Sequence, residues 1–465
     1  MARIPLAVCS AMALALAGCA TAPAINDSGA VPALPAQWQF ARGPAADAVT
    51  QDWWRSFGSA ELDRLVQQAG AQSNDLAAAV ARVRQAEASA RQAGAALLPD
   101  VAASLQAGRQ ARMGGQADVS GSRYGAALTA SYEIDFWGGN RAARDAALAE
   151  WQASALDRDT VQLTVTAGVA NAWLQDLALR ERAAIAEMNL RSAERLLNWV
   201  SSRQRAGAAS ALELAQQRGL VAAQQRQLAA LRQQAGDART ALAVLLGQPE
   251  IALDASAQTA GWAELNEVHI DAGLPSQLLT RRPDIARAEA RLAAANANVA
   301  VARAAMLPRL TLNASLGTGG DRPGRLFDNP LYSLAAGLAA PVFDAGRLAA
   351  GSELAQARRE ELLADYRQAI VAAFGDVDVA LNATAGLAAQ SLAQQEELLQ
   401  AQRALALAEN RYRVGAESLL TLLDAQRTLY AAQDLGVQLK LARLQARVGL
   451  YRALGGGWRA EQGTT

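Results

Sequence analysis

The segment Arg82–Gly108 returns about two hundred residues later, and that return limits what the chain can become. RVRQAEASARQAGAALLPDVAASLQAG over residues 82–108 matches RLAAANANVAVARAAMLPRLTLNASLG over residues 291–317 at a constant offset (291 − 82 = 209), which sets Pro99 on Pro308. RAGAAS at Arg205–Ser210 matches RVGAES at Arg413–Ser418 (413 − 205 = 208), and Leu246-Gly247 matches Leu454-Gly455 at the same 208. Upstream, Asn74-Asp75-Leu76 matches Pro283-Asp284-Ile285 at 209. A length of 465 residues would otherwise suggest about three ordinary domains. The duplication replaces that expectation with two units of about 200 residues in the same order, hence pseudo-symmetry. A unit that recurs whole is usually architectural, because a catalytic site seldom needs a second copy.

Proline marks where long helices fit, since helix interiors exclude it. None occurs between Pro99 and Pro249, and none after Pro341. Gly346 to about Asn410 is rich in Ala, Gln, Leu, Glu and Arg, all strong helix formers. Leu398, Leu405 and Tyr412 lie seven apart there, the spacing of a coiled-coil seam. Roughly 60 helical residues at about 1.5 Å each give a rod near 90 Å. Its first-repeat partner is Arg141 to about Val200. Shorter helices are expected over Ala211–Leu246 and Leu419–Leu454, and shorter still over Leu76–Leu97 and Ile285–Met306. The alanine content suits close helix approach in a layered or tubular array.

Strands follow Pro99 and Pro308. Tyr124, Ala126, Leu128, Ala130, Tyr132, Ile134 and Phe136 alternate with small or polar residues, and Leu310, Leu312, Ala314 and Leu316 do the same. Tyr332, Leu334, Ala336, Leu338, Ala340 and Val342 repeat the pattern. One face is apolar, the other small and polar, with tyrosines near the ends, as in a membrane barrel with a watery lumen. The hairpin loops, Arg109–Ser122 and Thr318–Asn329, are polar and glycine-rich, which suits an exterior surface. Four strands cannot close such a barrel, since the smallest have about eight. An open edge in lipid would leave backbone groups unsatisfied. The chain must therefore assemble with copies of itself, and geometry allows a dimer with eight strands or a trimer with twelve.

The N-terminus reads as a secretory signal, with Arg3 before an apolar run from Leu6 to Leu16. It ends in Leu16-Ala17-Gly18-Cys19, the pattern of a lipoprotein cleavage site. Cleavage would remove Cys9 and leave Cys19 as the single thiol, consumed by lipid, so no internal disulfide is expected. Thr21–Thr50, with Pro23, Pro32, Pro35 and Pro44, reads as an extended tether. The aromatic DWWRSF (Asp52–Phe57) would pack that tether onto the body. No other run approaches the roughly 20 apolar residues of a membrane helix.

Composition excludes several functions. Charges balance at 44 Lys+Arg against 44 Asp+Glu, leaving no basic excess for nucleic acid. The only histidine, His269, cannot supply a zinc site alone. Asp376 and Asp378 stand two apart on a helix and do not share a face. Gly455-Gly456-Gly457 reads as a helix terminator. No enzyme, cofactor or metal site is expected.

Taken together, the lipobox, DWWRSFGSAELDRLV, TRRPDIARAEARLAAANANV, RAAMLPRLTL, PVFDAGR, ENRYRVGAESLLTLLDAQRTLY and LYRALGGGW resemble the outer-membrane factors of the TolC superfamily, in the branch of OprM-like and NodT-like efflux lipoproteins. The resemblance covers essentially the whole mature chain. It implies a mainly α fold with membrane β: a homotrimer with a twelve-stranded barrel, four strands per chain, above an α-barrel of long coiled-coil helices. Residues 1–18 would be the signal peptide, 19–58 a lipid-anchored tether, 59–260 the first repeat and 261–465 the second. The implied function is the outer-membrane conduit of a tripartite efflux system exporting drugs or other small toxic compounds, with a periplasmic adaptor and an inner-membrane pump of the RND type as partners. Ala20, where such lipoproteins carry Asp for inner-membrane retention, is compatible with outer-membrane delivery. The turns RQRAGAAS and RYRVGAES would be periplasmic tips for adaptor docking, with Gly207 and Gly415 as left-handed turn residues flanked by Arg205 and Arg413. Leu420 and Asp424 match the family's constriction, with Arg411 and Tyr412 in the network that holds it shut. Thr421 stands where TolC has a second acidic residue. A type I protein-secretion channel of the same fold, or a non-channel periplasmic adaptor lipoprotein, are the alternatives.

Overall fold

In a computed structural model, residues 31–40, 49–116, 121–250, 261–266, 270 and 272–459 are described. Cys19, the signal segment, part of the tether and His269 lie outside them. Everything from Leu34 onward belongs to one unit. It runs α1 (Ala60–Gln72), α2 (Asn74–Ala95), β1 (Asp100–Gln110), β2 (Gly121–Ile134), α3 (Gly139–Arg205) and α4 (Ala211–Leu245). After the single helical turn Leu278–Arg281 come α5 (Pro283–Ala304), β3 (Arg309–Gly320), β4 (Leu331–Ala339), α6 (Arg347–Arg413) and α7 (Leu419–Ala453). The duplication is literal in length: α2 and α5 have 22 residues each, α3 and α6 have 67, α4 and α7 have 35. At about 1.5 Å per residue, the long pair spans roughly 100 Å.

Each long helix starts on the same device. Asp135 Oδ1 and Oδ2 accept the N–H groups of Asn140 (3.0 Å) and Arg141 (2.9 Å). Asp344, at 344 − 135 = 209, accepts those of Gly346 (3.1 Å) and Leu348 (2.9 Å). A carboxylate at a helix start satisfies orphan donors and suits the helix dipole. The seam residues Leu398 and Leu405 pack on Ala401, Leu429 and Ala432, where α6 meets α7.

The strands form one antiparallel sheet in the order β1-β2-β3-β4, so β2 and β3 join the two hairpins. Register puts Leu105 opposite Ala126, Leu128 opposite Leu316, and Leu310 opposite Leu338. One face is therefore apolar across all four strands. The other carries Ser104, Gln106, Thr129, Ser131, Asn313 and Ser315. Within the protomer β1 and β4 are open edges, and every residue of both is exposed.

The two long helices differ in burial. α3 packs against α2, α4, α5 and α7, whereas α6 meets α5 and α7 and leaves Leu354, Val371, Val379, Leu392 and Leu407 exposed. By length and composition alone, one stretch of α6 would cross a membrane, which corrects the expectation that no further run qualifies. Its Ile, Val, Phe and Leu side chains make it apolar, but it packs on α5 and α7 and its Asp376 holds Arg282 (3.0 Å), which places it in the helical array.

The aromatic segment Trp53–Phe57 is a 3-10 turn, with Trp53 buried and stacked on Tyr451 at 4.9 Å. The triple glycine does more than end a helix. Gly455, Gly456 and Gly457 all have positive φ (87°, 58° and 77°), and a Cβ on Gly455 would stand 1.9 Å from the Arg281 carbonyl oxygen. The same holds at Gly457 against Thr50, so the chain end is threaded between two other backbones.

Candidate functional site: the hairpin tips

Each long helix turns into its shorter partner through the same geometry. Ala208 N–H reaches the Arg203 carbonyl (2.8 Å) and Gly207 N–H that of Gln204 (3.0 Å). Ala416 and Gly415 repeat the pair with Arg411 (2.9 Å) and Tyr412 (3.2 Å). These are Schellman closures, which require a left-handed residue. Gly207 (φ 75°) and Gly415 (φ 76°) supply it, both in open space. A serine then caps the next helix: Ser210 Oγ accepts from Glu213 N–H (3.2 Å), and Ser418 Oγ from Thr421 N–H (3.3 Å). At the first tip Glu213 reaches back to Ser210 N–H (2.6 Å), completing a capping box.

The side chains divide into a buried knot and an exposed face. Tyr412, only 2% exposed, makes an edge-on contact with Trp199 (5.1 Å, 87°), and its hydroxyl donates to Glu213 Oε1 (3.4 Å). The Arg203 guanidinium lies 5.3 Å from the Trp199 ring and 5.2 Å from the Tyr412 ring, within cation–π range. Burial, and then the Glu213 charge, raise the Tyr412 pKa and keep the phenol protonated. The knot sits on a core of Ala193, Val200, Leu220, Leu419, Leu422 and Leu423, so it ties the two hairpins to each other.

Leu420 (63% exposed) and Asp424 lie one turn apart on the opposite, open face of α7. The structure does not bring Arg411 to Asp424. Arg411 instead pairs with Glu417 (3.6 Å), whose carboxylate also accepts from Ser418 N–H (3.2 Å) and the Thr421 hydroxyl (3.1 Å). The Ser418 N–H, then that hydroxyl, hold the Glu417 pKa below its ordinary range. Arg205 donates to Ser202 Oγ (3.1 Å), and Arg413 pairs with Glu409 (3.5 Å); both stay on the surface of their tips. Sequence reasoning missed Trp199, Arg203 and Glu213. The offset pairs Arg203 with Arg411 (411 − 208 = 203), which was the available signal.

The acidic pair also separates. Asp376 holds Arg282 (3.0 Å), and Asp378 accepts from Gln39 N–H (3.2 Å). Arg282 bonds Asp284 (2.6 Å) and the Ala453 carbonyl (3.1 Å), fastening α5 to α6 and to the end of α7. Among the described residues no cluster could hold a metal ion.

A four-stranded sheet with an apolar outer face, set on paired 67-residue helices, defines the subunit of a membrane channel with a helical extension. The family described as "Outer membrane efflux protein" matches residues 65–248 and 274–456, and the chain belongs to it. The chain is 53% identical over 463 residues (97% of both chains) to the "Pyoverdine export outer membrane protein OpmQ" of Pseudomonas putida. It is 31% identical over 460 residues (96% of this chain, 98% of the relative) to the "Cation efflux system protein CusC" of Escherichia coli O6:H1. Among solved structures it superposes on the outer-membrane channel OprN with a TM-score of 0.85 (28% identity, 95% and 100% of the chains). It superposes on the open state of the Neisseria gonorrhoeae MtrE channel at 0.84 (29%, 96% and 100%). It is an outer-membrane efflux channel of TolC-like fold, spanning the outer membrane and extending into the periplasm.

Proposed function

We propose that the chain is the exit duct for a siderophore of the pyoverdine kind, working as a homotrimer with a periplasmic adaptor and an inner-membrane pump of the RND type. The carrying observation is the step in identity: 53% and 52% to two pyoverdine-export proteins, against 34% to a toluene-efflux protein and 31% to a cation-efflux protein. The polar sheet face suits a polar cargo, because Ser104, Gln106, Thr129 and Asn313 offer hydrogen bonds along its middle, with Arg123 and Glu133 nearer its ends. Two open edges and the exposed face of α6 support closure by copies of the same chain, three of which give twelve strands.

In this assembly Leu420 and Asp424 ring the periplasmic aperture. Three Asp424 carboxylates repel one another unless cations or arginines compensate, and a leucine ring one turn away adds a dewetting barrier. Tyr412 holds the second hairpin to the first, and Arg411 stiffens its turn. The tips around Gly207, Gly415, Arg205 and Arg413 receive the adaptor. Cys19 is the lipidated mature N-terminus, and residues 59–260 and 261–465 are the two repeats. The chain has no enzymatic role.

The test is secretion. Expressed in a Pseudomonas strain lacking its own pyoverdine-export outer-membrane protein, the chain should move the fluorescent siderophore from periplasm to medium. Pyoverdine retained in the periplasm, with antibiotic resistance restored instead, would assign the duct to drugs.

A further inference from the structure

The apolar face of the sheet is not uniform. A hollow of about 500 Å³ lies on it, lined by Ala103, Leu105, Leu128, Leu316, Phe327 and Pro330. Phe327 and Pro330 come from the β3–β4 loop, which is held down by the Thr318 hydroxyl donating to the Leu326 carbonyl (2.6 Å). The loop therefore forms the upper wall of an otherwise open apolar slot. The slot sits toward the hairpin end of the sheet, away from the helices. In a channel whose helices extend into the periplasm, that end faces the outer leaflet.

The same end carries an excess of positive charge. Residues 109–123 and 318–330 contain Arg109, Arg112, Arg123, Arg322 and Arg325 against Asp118, Asp321 and Asp328, a balance of 5 − 3 = +2 per chain. Register assigns the two strand arginines to opposite faces. Arg109 pairs with Ser122 and so shares the apolar face with Leu105, four residues along β1. Arg123 pairs with Gly108 on the polar face. Arg322 and Arg325 are exposed on the loop, each 3.9 Å from the single Asp321 carboxylate. Four residues of strand span about 14 Å, the scale of an acyl chain hanging from a headgroup.

We propose that this slot is a binding site for lipid A, with one acyl chain in the hollow under Phe327 and the glucosamine phosphates on Arg109, Arg322 and Arg325. Any lipid tail would fill an apolar slot. A pair of phosphates matched to Arg109 on the apolar face and to the exposed loop arginines selects the outer-leaflet glycolipid over a singly charged phospholipid. The proposal rests on the outer-membrane location and is independent of the exported cargo.

The experiment is native mass spectrometry of the full-length, detergent-purified protein, titrated with bisphosphorylated lipid A, monophosphorylated lipid A and phosphatidylglycerol. Lipid A should bind about tenfold or more tightly than phosphatidylglycerol, given the usual attraction of arginine to anionic lipid. The monophosphorylated form should fall between. Replacing Arg109, Arg322 and Arg325 by Ala should bring lipid A down to phosphatidylglycerol, and Arg109→Ala alone should remove part of the difference. Phe327→Ala should weaken all three lipids together, and Arg123→Ala, on the polar face, should change nothing. Equal binding of lipid A and phosphatidylglycerol would overturn the proposal. A preference surviving the triple substitution, or lost with Arg123→Ala, would do the same.

Discussion

At the first tip Arg203 lies across Trp199 and Tyr412, whereas at the second its counterpart Arg411 turns to Glu417. The backbones around them are the same closure twice. The difference lies in a few substitutions between repeats: Gln204 against Tyr412, Glu213 against Thr421, and Gln216 against Asp424, all at 208. Glu213, freed from serving only its own cap, reaches Tyr412 of the other repeat. Thr421 cannot do so, and its tip is stiffened locally by Glu417. Duplication thus supplied a pair of equal turns, and divergence made the first a socket of Trp199, Arg203 and Glu213 for Tyr412 of the second, which also carries Leu420 and Asp424.

The comparison breaks most visibly at the knot. Tyr412→Ala should cost about 3–5 kcal/mol in guanidinium unfolding, the usual range for truncating a buried aromatic, while Gln204→Ala should cost almost nothing. Similar costs would mean that both tips are anchored alike. Next in size, Ser210→Ala and Ser418→Ala should each lose about 1 kcal/mol of helix capping. The first should lose more, because it also frees Glu213 from its box and disturbs the Tyr412 contact. Tyr412→Phe removes a single long hydrogen bond and should cost below about 1 kcal/mol; a larger loss would make Glu213, not ring packing, the main tie.

The smallest effect is one of pH, away from both tips. Burial raises the Asp284 pKa, but the Arg282 hydrogen bond and charge outweigh it and hold the carboxyl below its ordinary 3.8. A depressed folded-state pKa contributes stability that is complete above the unfolded value and is lost as pH falls through the folded one. Unfolding free energy should therefore decline below about pH 4, and Asp284→Asn should flatten that decline. An unchanged acid profile would remove Asp284 from the account.

The order of the helices and the ends of the shorter hairpin arms were legible in the sequence, because proline gaps and a constant offset mark them, whereas the long helix expected to close near Val200 runs on to Arg205. The expected Ala211–Leu246 and Leu419–Leu454 end within a residue of those observed. The sheet faces were legible too, since period-two alternation needs no long-range knowledge. The joining of hairpins through β2 and β3 was not, because pairing between distant segments leaves no local pattern. Nor was the Trp199–Arg203–Glu213–Tyr412 knot, whose members come from both repeats. The triple glycine was half legible: a helix end is written locally, but the close passage of Arg281 and Thr50 is not.

Single-channel conductance in planar bilayers tests the division of labour between the tips most directly. The Leu420→Ala, Asp424→Ala double variant should be compared with Leu212→Ala, Gln216→Ala, the same positions in the first repeat. Conductance should rise several-fold in the first variant, with large antibiotics such as vancomycin admitted to cells, and stay at the wild-type level in the second. Equal conductance in both variants, in properly folded and inserted protein, would contradict the account and leave Asp424 a solvated helix residue.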